Sequence, residues 1–232
     1  MIQDPVFVRR PGLDSLGLTC YFGFMPRRKT PLFSDGFYHV YNRGSEKRTI
    51  FRDPPDYFRF LKLLKNNKNR FWVKILCYCL LPNHFHLLVK GGCQLSDFMR
   101  VVGVGYAMYF NKRYKRVGPL FQGRFKSKLI DCEAGLLQVS RYIHQNPIDC
   151  PQVRGRALES KGPVLGYLAE YPYSSYPDYT NIRHGTLCDK SIILSYFSKT
   201  RVGNSYALFV QERVIDGELF LGGNEASEGK WN

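Results

Sequence analysis

The sequence predicts an α+β sandwich with a mainly antiparallel sheet, helices packed on it and a small C-terminal helical lobe. The chain has 232 residues, 44% of them hydrophobic, which is enough for one compact domain with a proper core. Strand-like and helix-like segments follow in the order strand, helix, strand, strand, helix, strand, helix. Because two strands follow one another across Pro82-Asn83, we expect them to pair as a hairpin, which favours α+β over a doubly wound fold.

The first four elements have clear sequence signatures. GFYHVYNR at residues 36–43 is aromatic and β-branched and is bounded by glycines, as is typical of a strand. PPDYFRFLKLLKNNKNR, from Pro54, has apolar residues at helical spacing and predicts a helix of about three turns. FWVKILCYCLL at 71–81 is the most strand-like segment of the chain, and HFHLLVK at 84–90 is its expected partner in the hairpin.

Three more elements complete the predicted core. Residues 95–114 predict a helix, since apolar residues recur at helical spacing and the segment ends in Lys and Arg. GPLFQGRFKSKLI at 118–130 is interpreted as a loop that leads into a strand with outward basic residues. The helix EAGLLQVSRYIHQN at 133–146 is expected to be capped by residues 131–133 and to end at Pro147.

The main domain is expected to span residues 25–180. Residues 1–24 lack a secretory signal pattern, and we interpret them as a loose extension or as sequence that precedes a true translation start at Met25. Residues 181–222 are predicted to form the C-terminal helical lobe, and 223–232 a disordered tail. The lobe is expected to contain two short helices, at residues 189–198 and 204–214, after loop and short turns at 164–185.

The charge of the chain points to a polyanionic partner. Lys and Arg number 34 against 19 Asp and Glu, a formal charge of +15, which nucleic acid or an anionic membrane surface would match. The sequence has no apolar run of about 18 residues and no basic face on an amphipathic helix, so a membrane is the weaker match. Seven cysteines without the spacing of a zinc ribbon or a disulfide framework fit a reducing cytoplasm.

His84 and His86, in LPNHFHLLVK, are the first candidates for chemistry. Residues two apart on a strand share a face, so both imidazoles project the same way, with Cα atoms about 6.7 Å apart, and could reach one cation. Two histidines on a strand are more often hydrogen-bonded structural residues. This pair alone therefore does not decide between the two interpretations.

Tyr142 and Asn146 form a second candidate pair. They stand four residues apart and so lie one turn apart on one face of the predicted helix. Each alone has an ordinary explanation, as core filler and as a helix terminator. Together with His84 and His86, in a chain of charge +15, they supply a hydroxyl nucleophile, an amide oxygen and two imidazoles, which suit metal-assisted attack on a phosphodiester.

Four motifs, in this order, resemble one family. They are YHVYNRG at 38–44, LPNHFHLLV at 81–89, GPLFQGRFKS at 118–127 and SRYIHQNP at 140–147. Over about residues 25–180 the sequence resembles the single-tyrosine HUH transposases, particularly the REP-associated tyrosine transposases of bacteria. The resemblance implies a ferredoxin-like α+β fold whose antiparallel sheet carries the HUH motif, in a cytoplasmic, nucleoid-associated enzyme.

The resemblance also implies roles for individual residues. His84 and His86 would be metal ligands, Asn146 a third ligand and Tyr142 the nucleophile. The metal would be Mg²⁺ or Mn²⁺, and the substrate single-stranded DNA, often with an adjoining hairpin. Attack by Tyr142 would leave a 5′-phosphotyrosine and a free 3′-OH, with no nucleotide cofactor.

Six residues are predicted to contact DNA. Alternation along the segment 122–128 puts Arg124, Lys126 and Lys128 on one face, where they could follow a phosphate backbone. A solvated basic face explains the alternation equally well. The full predicted set is Asn42, Arg43, Gln122, Arg124, Lys126 and Lys128.

Five further aromatic and histidine residues have more than one interpretation. Tyr109, Tyr114 and Phe121 could stack unpaired bases, although core packing explains most aromatics here. His144, two residues beyond Tyr142, is expected to face away from it and to be structural. His39 lies on a strand that could flank the histidine pair, and simple packing explains it at least as well.

Two other functions compete with the transposase interpretation. A domesticated relative could bind hairpin DNA without turnover, or the protein could be a metal-dependent phosphodiesterase in which Tyr142 is incidental. The sequence leaves open whether the protein is a monomer or a homodimer. The connection after Pro147 is longer than is usual in the family, which could alter DNA specificity.

Overall fold

The structure is a computed structural model that describes residues 32–33, 35–153, 164–197 and 205–212. The expected extension at 1–24 and the expected tail at 223–232 lie outside the described residues. The domain boundaries at residues 180 and 222 stay predictions.

Four strands form one antiparallel sheet, as predicted. They are β1 (Gly36–Arg43), β2 (Lys74–Leu81), β3 (His84–Gly91) and β4 (Lys126–Ile130), in the spatial order β2-β3-β1-β4. Every neighbouring pair is antiparallel, and β2 and β3 form the expected hairpin. With α1 (Pro54–Lys68) and α2 (Leu95–Arg113), the order along the chain is βαββαβ, a ferredoxin-like arrangement, which confirms the predicted fold class.

Helices cover both faces of this sheet. α1 and α2 pack on one face, where Phe85 and Leu87 of β3 belong to the first hydrophobic core. α3 (Glu133–Asp149) packs on the other face, where Leu88 belongs to a second core. Side chains alternate along a strand, so His84 and His86 share the α3 face with Leu88.

After α3, residues 151–153 are also helical, and four short helices with complete bounds follow in the described part of the chain. They are α4 (Val164–Glu170), α5 (Tyr176–Tyr179), α6 (Ser191–Leu194) and α7 (Ser205–Glu212). α6 and α7 confirm the two short helices expected in the C-terminal lobe, although α6 is shorter than predicted. The interpretation of residues 164–185 as loop and turns is wrong at α4 and α5. In α4, Tyr167 and Leu168 are buried in the second core, so tertiary packing stabilises a helix that local periodicity does not reveal.

β2 begins at Lys74 and not at Phe71 as predicted. Trp72 has a positive φ of 52°, and the Val73 N–H donates to the Lys68 carbonyl at 2.9 Å. The first three residues of the predicted strand therefore close the end of α1 instead of pairing in the sheet.

α3 also differs from the prediction, because it passes through Pro147 and ends at Asp149. Proline has no N–H to donate. Because Pro147 lies in the last turn of the helix, only this one hydrogen bond is lost. The Cys150 N–H still donates to the Asn146 carbonyl at 3.1 Å, so the final turn is closed.

Candidate active site

The pairing of β1 with its neighbours gathers polar side chains on the α3 face. Tyr41 of β1 pairs with His86 of β3 on one side and with Lys126 of β4 on the other. Arg43 pairs with His84, and directly paired residues on adjacent strands share a face. His84 and His86, called the HUH histidines below, therefore lie on one face of the sheet together with Arg43 and Lys126. These side chains are next to one another across β3, β1 and β4.

The turn that precedes His84 is held from outside the hairpin. The N–H groups of Ile50 and Phe51 both donate to the Pro82 carbonyl, at 2.7 and 2.9 Å, and the Gly44 N–H donates to the Asn83 carbonyl at 2.8 Å. These bonds fix the start of β3, and with it the position of His84.

The two HUH imidazoles lie close together and use the same nitrogen for hydrogen bonding. Their ring centroids are 5.1 Å apart with an interplanar angle of 87°. His84 Nδ1 lies 2.5 Å from Asn83 Oδ1, and His86 Nδ1 lies 2.9 Å from His39 Nε2. Among the described residues, neither Nε2 atom has a hydrogen-bond partner, so both are available to a ligand.

Both HUH histidines are held in the neutral form. Burial, helped by the positive charge of Arg43, lowers the pKa of His84 to about 4. Burial and the neighbouring imidazoles lower the pKa of His86 well below its usual value. A neutral imidazole is the form that binds metal ions.

His39 belongs to the site, although the sequence left its role open. It lies on the α3 face of β1 and is hydrogen-bonded to His86. Burial, and to a smaller extent the positive charge of Lys128, lowers the pKa of His39 to about 3. Since a histidine that binds a metal through Nε2 carries its proton on Nδ1, neutral His39 is suited to accept a hydrogen bond from His86. Its contact with His86 depends on the pairing of β1 with β3, which no local sequence signal specifies.

Tyr142 is brought to the histidines by α3. Its ring centroid lies 5.5 Å from that of His86 and 5.8 Å from that of His39, in both cases edge-on. Asn146 lies one turn further along α3, is 5% exposed, and donates from Nδ2 to the Tyr142 carbonyl at 2.8 Å. Within the described residues Asn146 makes no hydrogen bond to either HUH histidine. The structure thus brings His84, His86 and Tyr142 together and leaves Asn146 beside them, tied to its own helix.

The buried side of α3 is anchored to α7 next to Tyr142. The Arg141 guanidinium donates to the Phe209 carbonyl at 3.0 Å, and the Gln145 side chain donates to the carbonyl of Val210. His144 lies between the Tyr206 hydroxyl, at 2.7 Å from Nδ1, and a serine of the C-terminal segment. The prediction that His144 faces away from Tyr142 and is structural is confirmed.

One cavity joins the HUH histidines to most of the predicted DNA-contacting residues. The loop before β4 docks on the end of β1, because the Gln122 N–H donates to the Arg43 carbonyl at 3.0 Å and Asn42 Nδ2 donates to the Gly123 carbonyl at 3.0 Å. Lys128 pairs with His39 one step further along the sheet. The lining includes His84, His86, Asn42, Arg43, Gln122, Arg124 and Lys126, together with Tyr41, Lys47 and Asn83, which sequence reasoning missed.

Tyr109, Tyr114 and Phe121 do not line this cavity. All three pack against the first core, on the α1 and α2 side of the sheet. The Tyr109 and Tyr114 hydroxyls both donate to Asp56, at 3.1 and 2.9 Å. The core interpretation therefore fits these aromatics, and base stacking by them stays a prediction outside this cavity.

The described residues contain no cluster of three or more His, Cys, Asp or Glu side chains that could hold a metal ion. A metal at this site would thus depend on the two HUH imidazoles and a neutral donor such as the Asn146 amide oxygen.

None of the helices described is long and apolar enough to cross a membrane.

Comparisons with known proteins found one family model and similar solved structures. Residues 33–146 match the family model described as "Transposase IS200 like". The structure is similar to that of a REP-associated tyrosine transposase bound to a REP hairpin, with a TM-score of 0.51 and 16% identity over 71% of this chain and 94% of the other. A crystal structure of a protein proposed to be a transposase, from Deinococcus radiodurans R1, gives a TM-score of 0.36 and 15% identity over 53% of this chain and 97% of the other. No curated protein matches the sequence.

Proposed function

Because residues 33–146 of this chain match the family model of IS200-like transposases, we propose that the protein is a metal-dependent endonuclease and strand transferase for single-stranded DNA. It would act at hairpin or repeat DNA, at the bacterial nucleoid, and form a 5′-phosphotyrosine through Tyr142. The observation that carries the proposal is the edge-on approach of the Tyr142 ring to His86, whose Nε2 has no partner among the described residues.

The donor set fits a divalent cation. Each HUH imidazole has Nδ1 engaged by a hydrogen-bond acceptor, as metal-binding histidines usually do, and Asn146 supplies an amide oxygen of the type that Mg²⁺ accepts. His84, His86 and Asn146 would therefore hold Mg²⁺ or Mn²⁺. None of the three is anionic, so the full positive charge would be left to attract a phosphate. When bound, the cation would polarise the scissile phosphate and stabilise the charge of the transition state.

Tyr142 would supply the nucleophile. Its phenol oxygen forms a bond to phosphorus, the bond from phosphorus to the 3′ oxygen breaks, and the phenolic proton passes through solvent to that oxygen. Phenols ionise near pH 10, so proton loss has to accompany attack. The phosphotyrosine ester retains most of the energy of the broken phosphodiester bond. A 3′-OH can therefore attack it, which joins the DNA to another strand.

The predicted DNA-contacting residues support the choice of substrate. Asn42, Arg43, Gln122, Arg124 and Lys126 line the cavity that contains the HUH histidines, and Lys128 is on the neighbouring exposed position of β4. Cationic side chains beside a phosphoryl-transfer centre would hold the phosphates that flank the scissile bond. One tyrosine per chain provides one nucleophile, so exchange of two DNA ends would need two chains or two successive reactions.

Covalent capture tests the proposal directly. Labelled single-stranded hairpins from DNA that flanks the gene would be incubated with the full chain and Mn²⁺, and a covalent protein–DNA band is expected. Tyr142→Phe should abolish both the band and cleavage while DNA binding is retained. Cleavage that survives in Tyr142→Phe would favour a different phosphodiesterase, and binding without any band in the wild type would favour a non-catalytic hairpin-binding protein.

A further inference from the structure

A second basic cavity lies beside the candidate active site. It is open to solvent and is lined by Glu46, Arg48, Thr49, Arg52 and Arg116. None of these residues is in the set predicted from the sequence to contact DNA. Three guanidinium groups around one cavity suggest a site for an anion that presents several oxygens, such as a phosphate.

A single strained turn separates the two cavities. Lys47 lines the active-site cavity, whereas its neighbours Glu46 and Arg48 line the second one. Glu46 and Lys47 have φ angles of 57° and 58°, a left-handed conformation that non-glycine residues rarely adopt in succession. The Arg48 side chain donates from Nε to the Ser45 carbonyl at 2.9 Å, and a Cβ on Gly44 would lie 2.2 Å from the Arg48 carbonyl oxygen. The turn is thus locked in a form that directs successive basic residues to different cavities.

Arg52 is held in place before any ligand binds. Its guanidinium lies 4.3 Å from the centre of the Tyr114 ring, and the Tyr114 hydroxyl donates to Asp56 at 2.9 Å. The Arg52 N–H donates to the same carboxylate at 2.9 Å, and Asp56 is fully buried. A guanidinium stacked on a ring keeps its N–H edges free, so this arrangement prepares Arg52 to bind a phosphate in the plane of its fork.

The second cavity also has positive charge that is not neutralised nearby. Arg116 donates from Nη1 to Asn111 at 3.1 Å, which orients it without cancelling its charge. Asp56 is paired with Arg113 at 2.8 Å, and Glu46 with Arg48 at 2.8 Å. Within the described parts of the chain, no ion pair joins Arg52 or Arg116 to a carboxylate. A basic surface that only faces solvent would need neither the stacking of Arg52 on Tyr114 nor the support of buried Asp56.

We propose that Arg52 and Arg116 bind phosphates of the DNA strand that leaves the active-site cavity across the turn Ser45 to Arg48. The two cavities would then form one continuous track, in which Lys47 of the turn lines the first cavity and Arg48 of the turn lines the second. The inference rests on the proposed function in so far as DNA is taken to occupy the first cavity.

Length-dependent binding tests the track. The double variant Arg52→Gln, Arg116→Gln would be made in the full-length Tyr142→Phe chain, so that DNA is not cut. Fluorescence anisotropy would follow binding of single-stranded oligonucleotides of about 5 and about 20 nucleotides over a range of salt concentrations. A hairpin with the same flanks forms a third arm, which shows whether stem or single strand lies on the arginines. Arg70→Gln is the matched control, because Arg70 is also stacked on an aromatic ring, Phe71, at the opposite end of the sheet.

The short oligonucleotide should bind the double variant and the parent equally. The long one should bind roughly tenfold more weakly, and the slope of log affinity against log salt should fall by roughly 1 to 1.5, for two lost phosphate contacts. Replacement of both arginines by lysine should restore the slope but only part of the affinity, because lysine keeps the charge and loses the planar fork.

Three outcomes would overturn the inference. These are an unchanged long-oligonucleotide affinity and salt slope in the double glutamine variant, an equal loss in Arg70→Gln, or an equal loss for the short oligonucleotide. Circular dichroism melting of each variant separates these outcomes from misfolding, and the lysine pair provides a second variant. Failure of the proposed function has a different signature, since wild-type protein would then form no covalent adduct with Mn²⁺ while the length dependence of binding persists.

Discussion

Replacement of His39 by leucine tests whether this residue supports the metal-binding form of His86. His39 Nε2 lies 2.9 Å from His86 Nδ1, and His86 is 5% exposed. Leucine fills similar space but accepts no hydrogen bond. The imidazole of His86 would then be free to rotate, and its Nδ1–H would lose its acceptor in a nearly closed environment.

The size of the effect can be estimated in two independent ways. Loss of a hydrogen-bond partner behind a metal ligand typically costs 10–100-fold in metal affinity, which is about 1.4 to 2.7 kcal/mol. A buried donor left without an acceptor costs about 1 to 3 kcal/mol. The two ranges overlap, so we expect His39→Leu to weaken Mn²⁺ binding by at least about tenfold.

Calorimetric titration of Mn²⁺ into the full chain without DNA measures this effect apart from catalysis. His39→Gln is the matched control, because its amide oxygen can occupy the position of Nε2 and accept the same hydrogen bond. It should retain most of the affinity. The reasoning would be refuted if His39→Leu bound Mn²⁺ as tightly as wild type, or if the glutamine variant lost as much as the leucine variant.

Three further predictions concern the scaffold. Gly44→Ala should lower the free energy of unfolding, measured in urea, by more than about 2 kcal/mol, because the new Cβ would lie 2.2 Å from the Arg48 carbonyl oxygen. Gly103→Ala is the control and should be neutral or stabilising, because a Cβ there meets nothing within 4 Å. Tyr206→Phe should cost about 1 to 3 kcal/mol in thermal unfolding, since it removes the hydroxyl 2.7 Å from His144 Nδ1; a cost near zero would contradict the role of that bond. Burial lowers the pKa of His144 to about 3, so the unfolded chain binds a proton below about pH 6.5 that the folded chain excludes; stability from this group should fall by about 2 kcal/mol from about pH 7 to pH 5 and continue to fall towards pH 3. If His144→Gln shows the same pH slope as wild type, that assignment is wrong.

Local sequence patterns were sufficient for the central sheet and its main helices. Aromatic and β-branched composition between glycines identifies β1, and the break at Pro82-Asn83 after the most strand-like segment identifies the hairpin of β2 and β3. The approach of Tyr142 to His86 also follows the prediction, because α3 packs on the face of the sheet to which His84 and His86 project. These features depend on residue spacing within one element, or on which face of the sheet a helix covers.

The features that were missed depend on contacts between distant segments. His39 acquires its partner only through the register of β1 against β3, and Lys47 reaches the cavity only because two residues of its turn have positive φ. α4 is stabilised by burial of Leu168 against the second core. None of these interactions has a local periodicity, so a single sequence does not specify them.

The two edges of the sheet are protected in different ways, and this affects how DNA-binding variants will behave. β2 is covered by the C-terminal segment, since the Leu80 N–H donates to the Tyr173 carbonyl at 2.9 Å and the Ser175 N–H donates to the Tyr78 carbonyl at 3.0 Å. β4 is the opposite edge and is a strand of five residues.

Lys126 and Lys128 are exposed on that edge strand. Charged side chains on a short edge strand discourage pairing with the edge of another molecule. The two lysines proposed to hold DNA would therefore also keep the chain soluble, and apolar replacements at these positions should promote self-association as well as weaken DNA binding. Glutamine replacements, followed by light scattering, would separate the two effects.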